Sequence, residues 1–223
     1  MMEPGIFMEN YREAFGDTAE LPVAFWYSDQ AVNPTAKING CFFKGMKDVR
    51  AGIPISLNAG VIGCMGGKFY TGFTGMPAMV PNFVSQKERY KQTPEMVLDF
   101  IHDLDVPETS LGYLNFARLD QIDSFDRIEG LLFLVNPDIL SGLAAWAFFD
   151  RNEDDTVTSL FGSGCSSVVT QAVQENRRNG KRTFIGFFDP SVRIHFEPDI
   201  LSFMIPHVPV QGNVSYHEGQ LPF

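Results

Sequence analysis

The stretch TVTSLFGSGCSSVVTQAVQENRRNGKRTFIGFF, Thr156 to Phe188, decides the fold. Thr156 to Phe161 reads as a strand that breaks through Gly162 and Gly164 into the first turn of a helix. Val168, Val169, Ala172 and Val173 mark the buried side of that helix, Arg177 and Arg178 suit its last turn, and Gly180 is placed to end it. Thr183 to Phe188 is a second strand, so the order is a βαβ unit if the two strands run parallel. Cys165 falls at the helix start, where unpaired N–H groups and the positive end of the macrodipole favour a thiolate. A lowered thiol pKa and a reactive, catalytic Cys165 are therefore expected. The bland alternative is a small buried residue filling space behind the turn. Ser163, Ser166 and Ser167 are placed either to cap the helix or to bind an anion.

Working outward, Ile6 to Phe15 has apolar residues at helical spacing with Gly16 to end it, and Val23 to Tyr27 suits a strand after Pro22. Thr93 and Pro94 form a cap and first-turn pair ahead of the stripe Val97, Phe100, Ile101 and Leu104. Gly112 to Leu119 and Leu131 to Val135 read as strands, the second apolar enough to lie centrally in its sheet. Asn136 and Pro137 open another helix, apolar around much of its circumference and so expected to be deeply packed. Asp189 and Pro190 repeat the helix-start signal, and Leu201 to Ile205 is a last strand. The pentapeptide Pro137 to Ser141 recurs as Pro198 to Ser202, which is read as reused turn chemistry. These elements predict one α/β or α+β domain over residues 1–223, a mixed sheet flanked by helices, with a division near Thr109 as the fallback.

With 223 residues, 44% of them apolar and 21 of them phenylalanine, the chain can build a real core and falls outside the disordered and fibrous classes. Its 17 basic and 27 acidic residues give a formal charge of −10, which disfavours nucleic acid and anionic membranes as partners. Three cysteines are too few for a secreted disulfide framework, the start lacks the pattern of a signal peptide, and no apolar run approaches the ~18 residues of a membrane span. A cytoplasmic location is expected.

Gly60 to Gly75 is either a binding loop or a tightly packed helix, with Cys64, Gly66, Gly67 and Lys68 as candidate ligand-binding residues. Lys68 is the better cation for an anion nest, and Arg193 is a second, bidentate candidate that could equally be structural. Gly162, Ser163, Gly164 and Ser166 complete the expected ligand-binding set. Cys41, Cys64 and Cys165 lack the paired spacing of zinc or ferredoxin motifs, yet three distant thiolates could meet around a metal or an iron–sulfur cluster, with His102, His195, His207 or His217 as a fourth ligand. Glu88, Arg89, Tyr90 and Lys91 read as a solvated connection. G-x-G-x-x-G after a strand, the P-loop and G-x-S-x-G are all missing from the sequence.

Pro22 Val23, Cys41, glycine-flanked Cys64, Glu88 Arg89 Tyr90 before Pro94, Asn136 Pro137 Asp138, Phe161 Gly162, Gly164 Cys165 Ser166, Asp189 Pro190 Ser191 with Arg193, and Pro198 before Pro206 occur in one order across nearly the whole chain. In that order and spacing the chain resembles the family called domain of unknown function 169, the ArCR-type proteins of archaea and bacteria. The resemblance implies a prokaryotic protein without an assigned activity, and cysteines at positions where relatives tend to carry them. The functional expectation is a small-molecule site on glycine-rich turns with a reactive or metal-ligating cysteine. A noncatalytic binder of a small anionic ligand and an assembly protein stand as alternatives, so whether the chain is an enzyme stays open.

Overall fold

In the computed structural model, which describes residues 3–207, seven strands form a single mixed sheet in the order β2-β3-β1-β4-β7-β6-β5. They are β1 (Val23–Ser28), β2 (Ile55–Leu57), β3 (Tyr113–Arg118), β4 (Gly130–Val135), β5 (Val157–Thr158), β6 (Thr183–Gly186) and β7 (Leu201–Pro206). Every pairing is antiparallel except β5 with β6, where Val157 lies opposite Thr183 and Thr158 opposite Phe184. The parallel pair is the βαβ unit read from the sequence. Strand β4 is central, and it is buried along its whole length. Strand β3 sits between β2 and β1, so strands from either side of Thr109 are interleaved.

Alternation along the strands feeds two cores, because successive side chains point to opposite faces. Leu132 and Leu134 of β4 join Phe25, Phe116 and Met204 on one face, while Leu131, Phe133 and Val135 join Ala24, Phe203 and Ile205 on the other. The second face is covered by α1 (Pro4–Phe15) and α6 (Pro137–Phe148). Phe7, Tyr11, Phe15 and Trp146 pack there ring against ring. Helix α1 ends as expected at Gly16, whose N–H reaches the Arg12 carbonyl at φ +88°. Helix α6 is capped by Asn136 Oδ1, which accepts from the Ile139 N–H at 3.1 Å. It is not deeply packed. Only Gly142 and Leu143 are buried, because the helix packs on the sheet through one side, and Phe148 on the other side is exposed.

The first face carries the shorter helices: α2 (Met46–Arg50), α3 (Met65–Tyr70), α4 (Val80–Asn82), α5 (Pro94–Leu104), α7 (Gln171–Arg177) and α8 (Pro190–Arg193). Two π-helical segments interrupt them, Phe83–Glu88 and Ser166–Thr170. The predicted strand Thr156 to Phe161 shrinks to Val157–Thr158, which pair with Thr183 and Phe184, and the chain leaves the sheet before the bend at Gly162. At the far end of α7, Asn179 takes the left-handed conformation at φ 50° and Gly180 donates its N–H to the Glu175 carbonyl at 2.9 Å. The repeated pentapeptide diverges completely. Pro137 to Ser141 opens α6, whereas Pro198 and Asp199 form a turn before β7. No helix among the described residues is long and apolar enough to cross a membrane. His217, one of the histidines considered as a ligand, lies outside the described residues.

Candidate functional site

The glycine segments at 66–67 and 162–164 come together on the first face around a cavity of about 360 Å³. Gly66, Gly67, Gly162, Ser163 and Gly164 line it, and so do all three cysteines. The glycine positions follow from packing. A Cβ on Gly164 would lie 2.9 Å from Val192 Cβ and 3.1 Å from Phe43 Cε2, and one on Gly162 would lie 2.7 Å from both Phe100 Cζ and Ser166 Oγ. These glycines let neighbouring chain segments close around the cavity. Gly66 differs, since its nearest neighbour would be Cys64 Sγ at 3.8 Å, an ordinary contact.

Gly60 to Gly75 contains the helix α3, and Cys64 is its N-cap, its Sγ accepting from the Gly67 N–H at 3.5 Å. The arrangement expected at Cys165 is thus realised at Cys64, which is half-buried. Cys165 is only 7% exposed and packs into the core beside the cavity. Its thiol is pushed well above the usual range, first by burial and then by the nearby Cys41, Cys64 and Asp189. The expected lowering is therefore corrected: desolvation outweighs the helix start. The helix there is capped by Ser163, whose Oγ accepts from the Ser166 N–H at 3.1 Å, and Ser166 is fully buried away from the cavity lining. Burial likewise pushes the Cys41 thiol up to about 11. Among the described residues no group of three or more His, Cys, Asp or Glu side chains is arranged to hold a metal ion. Cys41, Cys64 and Cys165, the expected metal or cluster ligands, form no such group there. The three thiols share a cavity wall, each fixed by its own local packing.

Two other expected residues are placed elsewhere. Arg193 spends its guanidinium on the carbonyls of Glu197, Pro198 and Ile200, stabilising the turn before β7, and Lys68 does not line the cavity.

Besides Ser163, Asp189 and Ser191, the polar part of the wall comes from the segment read as a solvated connection. Glu88, Tyr90 and Lys91 all line the cavity, a correction to that reading. The π turn Phe83–Glu88 ends at Arg89, whose left-handed conformation at φ 59° redirects the chain. Tyr90 donates its hydroxyl to Asp189, which is 3% exposed. Asp189 also caps α8, accepting from the Ser191 N–H at 2.6 Å and Ser191 Oγ at 2.9 Å, and takes the Gly164 N–H at 3.2 Å. Glu88 is pushed up to about 7 by burial and then by the negative Asp189. Lys91 Nζ stands 5.3 Å from the centre of the Phe100 ring and 6.0 Å from that of Phe161. Asp189 Pro190 was legible as a cap, but nothing in local sequence ties Asp189 to Glu88 or Tyr90.

The walls are otherwise apolar, with Phe43, Met65, Met79, Phe83 and Phe100 among them. The π-helical segment Phe83–Glu88 borders this cavity through Phe83, Val84 and Glu88, and Cys165 immediately precedes the second, Ser166–Thr170. Such interruptions of α-helix recur at functional sites.

Comparison with known proteins finds no match to a curated protein and none to a solved structure. The profile of the uncharacterised ArCR family, domain of unknown function 169, matches residues 16–210, which include every residue of the cavity wall. The chain belongs to that family.

Proposed function

We propose that the cavity binds a small organic molecule with an apolar body and a cationic or hydrogen-bond-donating group. A volume of about 360 Å³ lies in the range of small-molecule sites, roughly 300 to 1,000 Å³, which are mostly apolar with a few placed polar groups. The observation that carries the reading is the pairing of Glu88 with Asp189 in an aromatic and thioether wall. Two neighbouring carboxylates favour a donor or a positive charge over an anion, and a net charge of −10 attracts cations at longer range. On this reading Cys41 and Cys165 serve as soft, polarisable wall groups, because a thiol raised by burial is a poor nucleophile at neutral pH.

Calorimetric titration with benzylamine, benzyl alcohol and benzoate tests it. Benzylamine should bind most tightly, losing about tenfold in Glu88→Gln, as expected for a charge-assisted contact. Gly66→Leu, whose Cβ fits without a clash, should fill the cavity and abolish binding. Benzoate binding as tightly as benzylamine, or benzylamine indifferent to both substitutions, would refute the reading.

A further inference from the structure

A second cavity, of about 250 Å³, adjoins the first and shares Lys91, Phe100 and Phe161 with it. Phe184, Arg178 and Arg182 stand on its remaining wall. Its chemistry follows from which polar groups are still unspent. Lys91 Nζ lies over the Phe100 and Phe161 rings and has neither an ion pair nor a hydrogen bond among the described residues. Arg178 is half-exposed and stands 4.0 Å from Asp105, too far for a hydrogen bond. Arg182, whose guanidinium lies 5.8 Å from the centre of the Phe184 ring, gives Nε and Nη2 to Glu175 at 3.1 and 2.7 Å, which leaves the two donors of Nη1. The acceptors on the same wall are spent or turned away. Glu175 is buried and taken by Arg182, the Asp103 side chain is 83% exposed beside His102, and Gln171 Oε1 is sealed from the cavity. Gln174 adds only a neutral amide.

We infer that this second cavity binds a phosphate monoester with a small aromatic body, its ring among Phe100, Phe161 and Phe184 and its phosphate against Lys91, Arg178 and Nη1 of Arg182. Three cations with donors to spare match the three strongly accepting oxygens and near-double charge of such a phosphate, where a carboxylate offers two oxygens and one charge. Space is adequate, since a cavity of about 150 Å³ already holds a benzene ring. The net charge of −10 acts on all anions alike and is screened beyond roughly 8 Å at physiological salt, so contact with these donors governs the choice. The inference stands apart from the ligand proposed for the first cavity, which has the opposite charge.

The test is calorimetric titration of the whole protein with phenyl phosphate, benzoate and inorganic phosphate. Phenyl phosphate should bind saturably and at least about tenfold more tightly than either, benzoate lacking the third oxygen and inorganic phosphate lacking the ring. Lys91→Met should weaken it about tenfold, and Arg178→Gln, at a more exposed position, about threefold. Absence of saturable phenyl phosphate binding, benzoate or inorganic phosphate that binds as well, or an affinity unaltered in either variant would each overturn the inference. If Lys91→Met does not fold, Arg178→Gln decides. Gly66→Leu, which fills the first cavity, should leave phenyl phosphate binding intact, and its loss there would place the ligand in the first cavity and overturn the inference. Benzylamine with Glu88→Gln reports only on the first cavity, so failure of either proposal leaves the other standing.

Discussion

Tyr90 donates its hydroxyl to Asp189 Oδ1, joining two segments 99 positions apart in the chain. The same carboxylate caps α8 and holds the Gly164 N–H, so one buried side chain fixes three parts of the cavity wall. Burial and this hydrogen bond both raise the Tyr90 phenol, which keeps it a donor at every physiological pH.

Removing that acceptor should cost more than removing any single donor. Asp189→Ala leaves the Tyr90 hydroxyl and the Gly164 N–H unsatisfied and is expected to lower stability by about 2–4 kcal/mol, against about 1 kcal/mol for Tyr90→Phe. Urea unfolding midpoints check the order. Equal costs would show that Asp189 is not the centre of the arrangement.

Glu88 should impose a pH dependence on stability. Its folded-state value, about 7, is above its ordinary 4.5, so the folded protein holds the proton more tightly than the unfolded chain. The stabilising contribution is complete below pH 4.5 and is lost as pH rises through about 7. Thermal unfolding from pH 4 to 8 should show a decline in that window that Glu88→Gln reduces. A Gln variant with the same pH profile as the parent would contradict the burial of this carboxyl.

Thiol labelling should separate the three cysteines. Cys64 is half-buried at the start of α3, whereas Cys165 is buried with a raised thiol and Cys41 is pushed up to about 11. Mass spectrometry after iodoacetamide treatment at pH 7.5 is expected to show Cys64 modified first, with Cys165 protected until the protein unfolds. Fast modification of Cys165 would restore the nucleophile reading.

The cavity glycines should tolerate no methyl group where packing is tight. Gly164→Ala places a Cβ against Val192 and Phe43, at an expected cost of about 1–3 kcal/mol. Gly66→Ala should cost no more than a few tenths, its nearest neighbour being Cys64 Sγ at 3.8 Å. Chemical denaturation of the two variants makes the comparison.

Local chemistry in the sequence located most of the framework. Thr93, Asn136 and Asp189 each cap a helix that begins with proline, and the βαβ order around Cys165 corresponds to the parallel pair β5 and β6. The helices between Phe42 and Arg50 and the three-residue strand β2 escaped notice, because elements this short carry too little periodicity to register. Of the site, the glycines and cysteines stood out by composition. Glu88, Tyr90 and Lys91 were misread, since charged residues before a capped helix look alike whether solvent or a second chain segment covers them.

By itself, then, the order of residues determined where strands and helices start and stop, because caps, glycine bends and alternation act over a few neighbouring positions. Only the tertiary structure decided the chemistry of the site. Desolvation at Cys165 and the pairing of Glu88 with Asp189 both depend on which distant segments pack together. Burial and charge proximity are properties of that packing and have no local signature in sequence.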